Sequence, residues 1–167
     1  VTVVSSNRIT CITPPHFPEV VEITVTNPDN QSGTLSRAYT FVSDTASITI
    51  PDVLGGQNMI VDIPVLAENV VGLAALQISV SYNPNHLRIK DIKNGSLTFG
   101  WSLAANKSLD GLITVAMASS AGTVMGSGSL FYMSFEVIGS PGSKDALKIE
   151  SVSLNDGAIP ATSSNGS

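Results

Sequence analysis

The chain has 167 residues, of which 13% are charged, and carries a formal net charge of −5. That length suits one full domain plus a fragment, since domains commonly run to about 100 to 150 residues. The basic residues are scattered and no apolar run approaches the roughly 18 to 20 residues that cross a bilayer, so neither nucleic acid binding nor membrane insertion is expected.

Val, Ile, Thr and Ser are abundant while Glu, Lys and Arg are scarce, a mixture that favours pleated, half-buried strands over exposed helices. Residues 1–43 read as short strands of period two: Val1–Val4, Ile9–Ile12, Val20–Thr26 and Ala38–Val42. Between them, Thr13-Pro14-Pro15 and Asn27-Pro28-Asp29-Asn30 with Gly33 are turn formers that no central strand tolerates. Cys11 is the only cysteine, so no intrachain disulfide can form, and it is expected to be a small buried hydrophobe.

These pieces resemble the C-terminal part of an IPT/TIG domain, an immunoglobulin-like sandwich. The resemblance is carried by Ile9-Thr10-Cys11-Ile12-Thr13-Pro14-Pro15, by Val21-Glu22-Ile23-Thr24-Val25-Thr26-Asn27-Pro28-Asp29 and by Ser36-Arg37-Ala38-Tyr39-Thr40-Phe41. It implies a spacer or interaction domain lacking its two opening strands.

The polar stretch Ser43-Asp44-Thr45-Ala46-Ser47 marks a boundary, which divides the chain into residues 1–43 and 44–167. Beyond it, Ile48–Ile50 is a short strand, and Val61, Ile63 and Val65 form another, which Pro64 places near a sheet margin. From Leu73 to Tyr82 the alternation is clean. Ala74, Leu76, Ile78, Val80 and Tyr82 point one way, toward a core, and Ala75, Gln77, Ser79 and Ser81 point the other. After the Asn83-Pro84-Asn85 turn, Leu87, Ile89 and Ile92 continue the core up to a turn at Lys93-Asn94-Gly95. Asp110-Gly111 signals a hairpin between Trp101–Ala105 and Leu112–Ala118, and strands follow at Leu130–Val137 and from Ala146 to Leu154. No amphipathic helix is found. The fold class expected is all-β, a jelly-roll or Greek-key sandwich.

Residues 46–162 resemble a cohesin domain, the receptor module of cellulosome scaffoldins. The residues that carry this are Gly55-Gly56 before Val61-Asp62-Ile63-Pro64-Val65, the run from Val71-Gly72-Leu73 through Ser81-Tyr82-Asn83-Pro84-Asn85-His86-Leu87-Arg88-Ile89, Asp110-Gly111-Leu112-Ile113-Thr114-Val115-Ala116, and Gly128-Ser129-Leu130 leading to Phe135-Glu136-Val137. The resemblance implies an extracellular or cell-surface scaffold module and a dockerin-like partner. It also implies that the strand through Ala75 and Gln77 presents the binding face, with polar groups at those two positions; Ala75 departs from that pattern.

The chemistry legible in the residues is sparse. His16 and His86 lack a His or Cys neighbour at ligand spacing and read as surface residues, and the carboxylates occur singly at turns, so no catalytic residue, metal or cofactor is assigned. Stacking on sugar rings needs exposed aromatics, which make up 5% of the chain; Trp101 is expected in the core. The candidate partner face is therefore Ala75, Gln77, Ser79 and Ser81, joined by Val115, Met117 and Ser119 from the strand after Asp110-Gly111. An ordinary solvated sheet face competes with this. Asn30, Asn94, Asn106 and Asn165 open N-x-S sequons in turn-like contexts, candidates for glycosylation.

The resemblance further implies that a strand position beyond Ser163-Ser164-Asn165-Gly166-Ser167 stands empty. Val1-Thr2-Val3-Val4 has the pattern to fill it in a neighbouring copy, as in a fibre. Two rivals to the receptor thus stand: a self-assembling stalk or filament repeat, and a carbohydrate-binding module.

Overall fold

A computed structural model describes residues 1–13, 19–41 and 45–167. His16 and the proposed boundary at residues 43 and 44 lie outside the described residues. Contacts divide the chain into two units, Val1–Ser43 and Asp44–Ser167.

In the first unit, β1 (Thr2–Ser5) pairs antiparallel with β2 (Arg8–Thr10), and β3 (Glu19–Thr26) pairs antiparallel with β4 (Ser32–Phe41). Asn30, at a φ of 66°, closes the β3–β4 turn by donating its N–H to the Asn27 carbonyl at 2.9 Å. One side of this hairpin is a hydroxyl ladder, with Thr24 and Thr34 at 2.8 Å and Thr26 and Ser32 at 2.8 Å. The other side carries Ile23 opposite Leu35 and Val21 opposite Tyr39. None of the unit's described residues is buried. Two expectations fail here. Cys11 is exposed rather than buried, and it lies past the end of β2. Val1-Thr2-Val3-Val4 is not an exchanged strand: Thr2 and Val3 pair with Thr10 and Ile9 of the same chain.

The second unit is a two-sheet sandwich. Its strands in chain order are β5 (Ala46–Thr49), β6 (Ile60–Leu73), β7 (Ala75–Ser81), β8 (Leu87–Asn94), β9 (Ser102–Leu109), β10 (Leu112–Ala118), β11 (Val124–Val137), β12 (Lys148–Leu154) and β13 (Ala161–Ser164). One sheet runs β12-β7-β10-β9 and the other β13-β5-β6-β11-β8. The only helical element among the described residues is the 3-10 turn Asn155–Gly157.

Alternation builds the core. Leu76, Ile78 and Val80 of β7 and Ile113, Val115 and Met117 of β10 face Ile63 and Val65 of β6 and Phe131, Met133 and Phe135 of β11, all buried in a single cluster. Burying each such side chain contributes about 1.5 to 3 kcal/mol. Tyr82 joins them, its ring centroid 5.1 Å from that of Phe135 in an edge-on contact. Trp101 is buried too.

Two further expectations change. β6 lies inside its sheet, between β5 and β11, rather than near a margin. At Pro64 the β5 side of the ladder asks for no hydrogen bond, because the pairing of β6 with β5 stops at Leu66, while Tyr132 of β11 stands opposite on the other side. The strand position expected to stand empty is occupied: β13 pairs parallel with β5, Ala161 beside Ala46 through Ser164 beside Thr49.

Candidate functional site on the exposed face of the four-stranded sheet

The outward residues of β12-β7-β10-β9 fall into rows set by register. Ser81 stands between Lys148 and Leu112, with Leu109 beyond; Ser79 stands between Ser151 and Thr114, with Asn106 beyond. Gln77 lies between Ser153 and Ala116, with Ala104 beyond, and Ala75 is beside Ala118 and then Ser102. Only Lys148 is charged in these rows, and Glu150, at the β12 bulge, accepts the Ser81 hydroxyl at 2.5 Å. The Ser79 and Thr114 hydroxyls bond each other at 3.0 Å. The surface is flat, short-chained and nearly uncharged.

Ala75, Gln77, Ser79 and Ser81 thus share one outward face. Val115 and Met117 do not belong to it. They are 0% and 3% exposed, since Val115 pairs with the inward Ile78 and Met117 with the inward Leu76. A slip of one residue exchanges the faces of a strand, and the correct set on β10 is Leu112, Thr114, Ala116 and Ala118. Ser119 follows the strand and is taken up in a turn, its N–H donating to the Ala74 carbonyl at 2.8 Å and its hydroxyl accepting from Ala121 at 3.1 Å. Sequence reasoning missed the β9 contribution of Ser102, Ala104 and Asn106, whose apolar periodicity is weak because β9 is an edge strand.

The loop after β12 anchors the near end of this face. Asn155 Oδ1 accepts the N–H groups of Ala74 at 2.9 Å and Ala75 at 3.0 Å, and its Nδ2 donates to the Gly72 carbonyl at 2.8 Å.

The sequons differ in context. Asn94 is structural: its Nδ2 donates to the carbonyls of Thr98 at 2.8 Å and Trp101 at 2.9 Å, so the sugar-accepting nitrogen is fully engaged. Asn106 lies in β9 rather than a turn, with Oδ1 accepting the N–H and hydroxyl of Ser108 at 3.0 and 2.7 Å. Asn165 accepts the Ile149 N–H at 2.9 Å, and Asn30 is exposed in its hairpin turn.

A concavity of about 440 Å³ lies at one end of the sandwich among Val53, Val61, Ile63, Leu87, Val137 and Leu147, with His86 and Asp145 on its wall. His86 is half-buried rather than free on the surface. Its Nδ1 meets Asp145 Oδ2 at 2.6 Å, and Asn83 Nδ2 donates to Asp145 Oδ1 at 2.9 Å. The nearby Ser143 hydroxyl donates to the Ser140 carbonyl at 2.6 Å, so the dyad ties a turn to a loop rather than activating a nucleophile. Among the described residues, no three His, Cys, Asp or Glu side chains converge as metal ligands would.

Comparison with known proteins follows the same division. The cohesin domain family model matches residues 46–167, and the IPT/TIG domain model matches residues 1–42. No curated relative matches the chain. Among solved structures, a non-cellulosomal cohesin from the hyperthermophilic archaeon Archaeoglobus fulgidus is 26% identical, with a TM-score of 0.63 over 73% of this chain and 88% of its own. The sixth cohesin of scaffoldin B from Acetivibrio cellulolyticus, solved in complex with a mutant Cel5 dockerin, is 23% identical, with a TM-score of 0.66 over 73% of this chain and 96% of its own. A cohesin from Clostridium acetobutylicum, CaCohA2, is 18% identical, with a TM-score of 0.64 over 73% of this chain and 88% of its own.

Proposed function

This chain belongs to the cohesin family over residues 46–167, and on that premise we propose that it is a non-catalytic receptor whose exposed β12-β7-β10-β9 face binds a dockerin-type protein in an extracellular or cell-surface scaffold. The observation that carries the reading is the face itself, a continuous four-strand surface from Lys148 to Leu109 and from Ala75 to Ser102, nearly without charge, opposite a fully built core. Several solved structures of this fold are complexes with dockerins. Residues 1–42, matched by the IPT/TIG model, serve in this reading as a spacer or second contact module.

A stalk repeat that binds copies of itself is the second reading, favoured by the exposed apolar side of the β3–β4 hairpin, where Ile23, Leu35 and Tyr39 face outward. A carbohydrate module has less support, because Trp101 is buried and offers no platform.

The test is molar mass in solution by light scattering, for the chain alone and mixed with a panel of dockerin domains. A one-to-one complex that is lost in both Gln77→Arg and Ala116→Arg is the expected result. Failure to bind any dockerin overturns the receptor reading, and self-association in its place supports the stalk repeat.

A further inference from the structure

At the end of the sandwich beside the β7–β8 turn, an apolar knob stands next to an apolar hole. The hole is the 440 Å³ concavity, whose walls include Val61, Val137 and Leu147. The knob is Leu54, which is 99% exposed on the lip of that concavity. Met59, 58% exposed, extends the knob: its Sδ lies 3.0 Å from where a Cβ on Gly56 would be. A scattered exposed leucine is ordinary on a protein surface, but one fixed in water at the mouth of an apolar cavity is not.

The backbone on both sides of Leu54 is pinned. Before it, the Val53 N–H donates to the backbone oxygen of Ser167 at 2.9 Å, and the Ser167 N–H and hydroxyl donate to Asp52 Oδ1 at 2.8 and 2.9 Å. After it, Gly55 is packed so closely that a Cβ there would come 2.8 Å from Val61 Cγ1 and 3.0 Å from Val137 Cγ2. Further on, the Asn58 N–H donates to the Val137 carbonyl at 2.7 Å, and the Met59 carbonyl accepts the Val137 N–H at 2.9 Å. The segment therefore holds Leu54 outward and does not fold it into the cavity beside it. The rim is also charged in two senses. Asp145 is taken by His86 and Asn83, whereas neither Lys144 nor Asp52, both exposed, has an ion pair among the described residues.

We propose that two copies of this chain pair through this end about a two-fold axis, each seating Leu54 in the concavity of the other and setting Lys144 against the partner's Asp52. A second copy is the occupant because one patch supplies both halves of each match, a knob with a hole and an ammonium with a carboxylate, and a two-fold axis brings a patch against itself. Covering the apolar wall releases ordered water, and a knob already fixed in place loses little freedom on association. Because the contact is confined to a loop and a rim, it falls below the roughly 1,200 Å² of stable interfaces and is weak. Two-fold pairing closes on itself, so growth stops at two copies, unlike that of a stalk repeat. None of these residues lies on the outward face of the β12-β7-β10-β9 sheet, so the pairing stands independently of the receptor reading.

The experiment is sedimentation velocity on the whole chain from about 10 μM to about 1 mM, a range that brackets weak association. The expected mass rises from one copy to two and levels there, half-dimerised near about 0.1 mM. Leu54→Ser alters a side chain that is almost wholly in water, so the fold is kept, and it should weaken pairing about a hundredfold because each dimer loses both knobs. Val53→Phe narrows the concavity from its own wall and should do the same. Lys144→Glu should weaken pairing about tenfold at low salt and less at high salt, since it sets carboxylate against carboxylate. Thermal unfolding confirms that each variant folds. A wild-type chain that stays monomeric at about 1 mM overturns the proposal, as does a dimer indifferent to Leu54→Ser or growth past two copies. A dimer abolished by Leu35→Arg instead assigns the association to the β3–β4 hairpin and overturns it too. The dockerin panel separates the two readings. If no dockerin binds while the dimer behaves as stated, the receptor reading falls and the pairing stands; if dockerins bind and the chain stays monomeric, the pairing alone falls.

Discussion

Asn155 Oδ1 accepts the backbone N–H of Ala75 at 3.0 Å across a sequence separation of 80 residues, so the loop after β12 holds the first residue of the strand that carries the candidate face. The same side chain also takes the Ala74 N–H and donates to Gly72, which closes the junction where β6 gives way to β7. Asn155 sits at a φ of 48°, a left-handed conformation that Asn adopts more readily than most residues.

Asn155→Ala removes three hydrogen bonds at once and leaves three part-buried backbone groups without their partner. At about 1 kcal/mol each, the expected loss of stability is about 2 to 3 kcal/mol. Urea unfolding should show a lower midpoint with an unchanged slope, and partner affinity should fall with it because the Ala75 end of the face loosens.

Asn94 is held by what its nitrogen donates. Asn94→Ala should cost about 2 kcal/mol, since the carbonyls of Thr98 and Trp101 both lose their donor. Asn94→Asp keeps the shape but sets a carboxylate oxygen against two carbonyl oxygens, so it should destabilise more than the alanine does. Guanidinium unfolding of the two variants side by side checks the order, and an aspartate milder than alanine would contradict this geometry.

Gly95 lies where two backbones touch. A Cβ there would come 2.1 Å from the Ser129 carbonyl oxygen and 2.7 Å from the Leu130 carbonyl carbon. Because backbone cannot swing aside as a side-chain tip can, Gly95→Ala should cost about 3 kcal/mol. Gly33→Ala, whose Cβ would meet nothing within 4 Å, should stay within about 0.5 kcal/mol. Melting temperatures of the two variants give the comparison.

His86 and Asp145 join the β7–β8 turn to the loop before β12 with a 2.6 Å contact. Their side chains are 36% and 17% exposed, so water screens part of the attraction. A double-mutant cycle with His86→Ala and Asp145→Ala should return a coupling of about 1 kcal/mol. A coupling of zero would mean that the Asn83–Asp145 bond and the backbone bonds from Ile138 and Gly139 to the His86 carbonyl hold the loop without this pair.

The sequence by itself determined the class of fold and one side of the candidate face. Strict alternation from Leu76 to Tyr82 leaves a single way to bury the large residues, so the outward positions of Gln77, Ser79 and Ser81 follow from the pattern. Asp110-Gly111 likewise announces the β9–β10 hairpin, because its backbone suits a tight turn. Tertiary structure decided the rest. Both faces of β10 carry apolar residues, and only its pairing with β7 turns Val115 and Met117 inward and Ala116 outward. Pro64 looks like a margin signal, yet its strand is interior, and what the proline marks is the end of the β5 pairing at Leu66. Asn94, Asn155 and His86 look like surface turn residues because their hydrogen-bond partners lie elsewhere in the chain or depend on loop closure. Local pattern records which way a side chain points along its own strand; the strand or loop it meets there is set by long-range pairing, which no local period encodes.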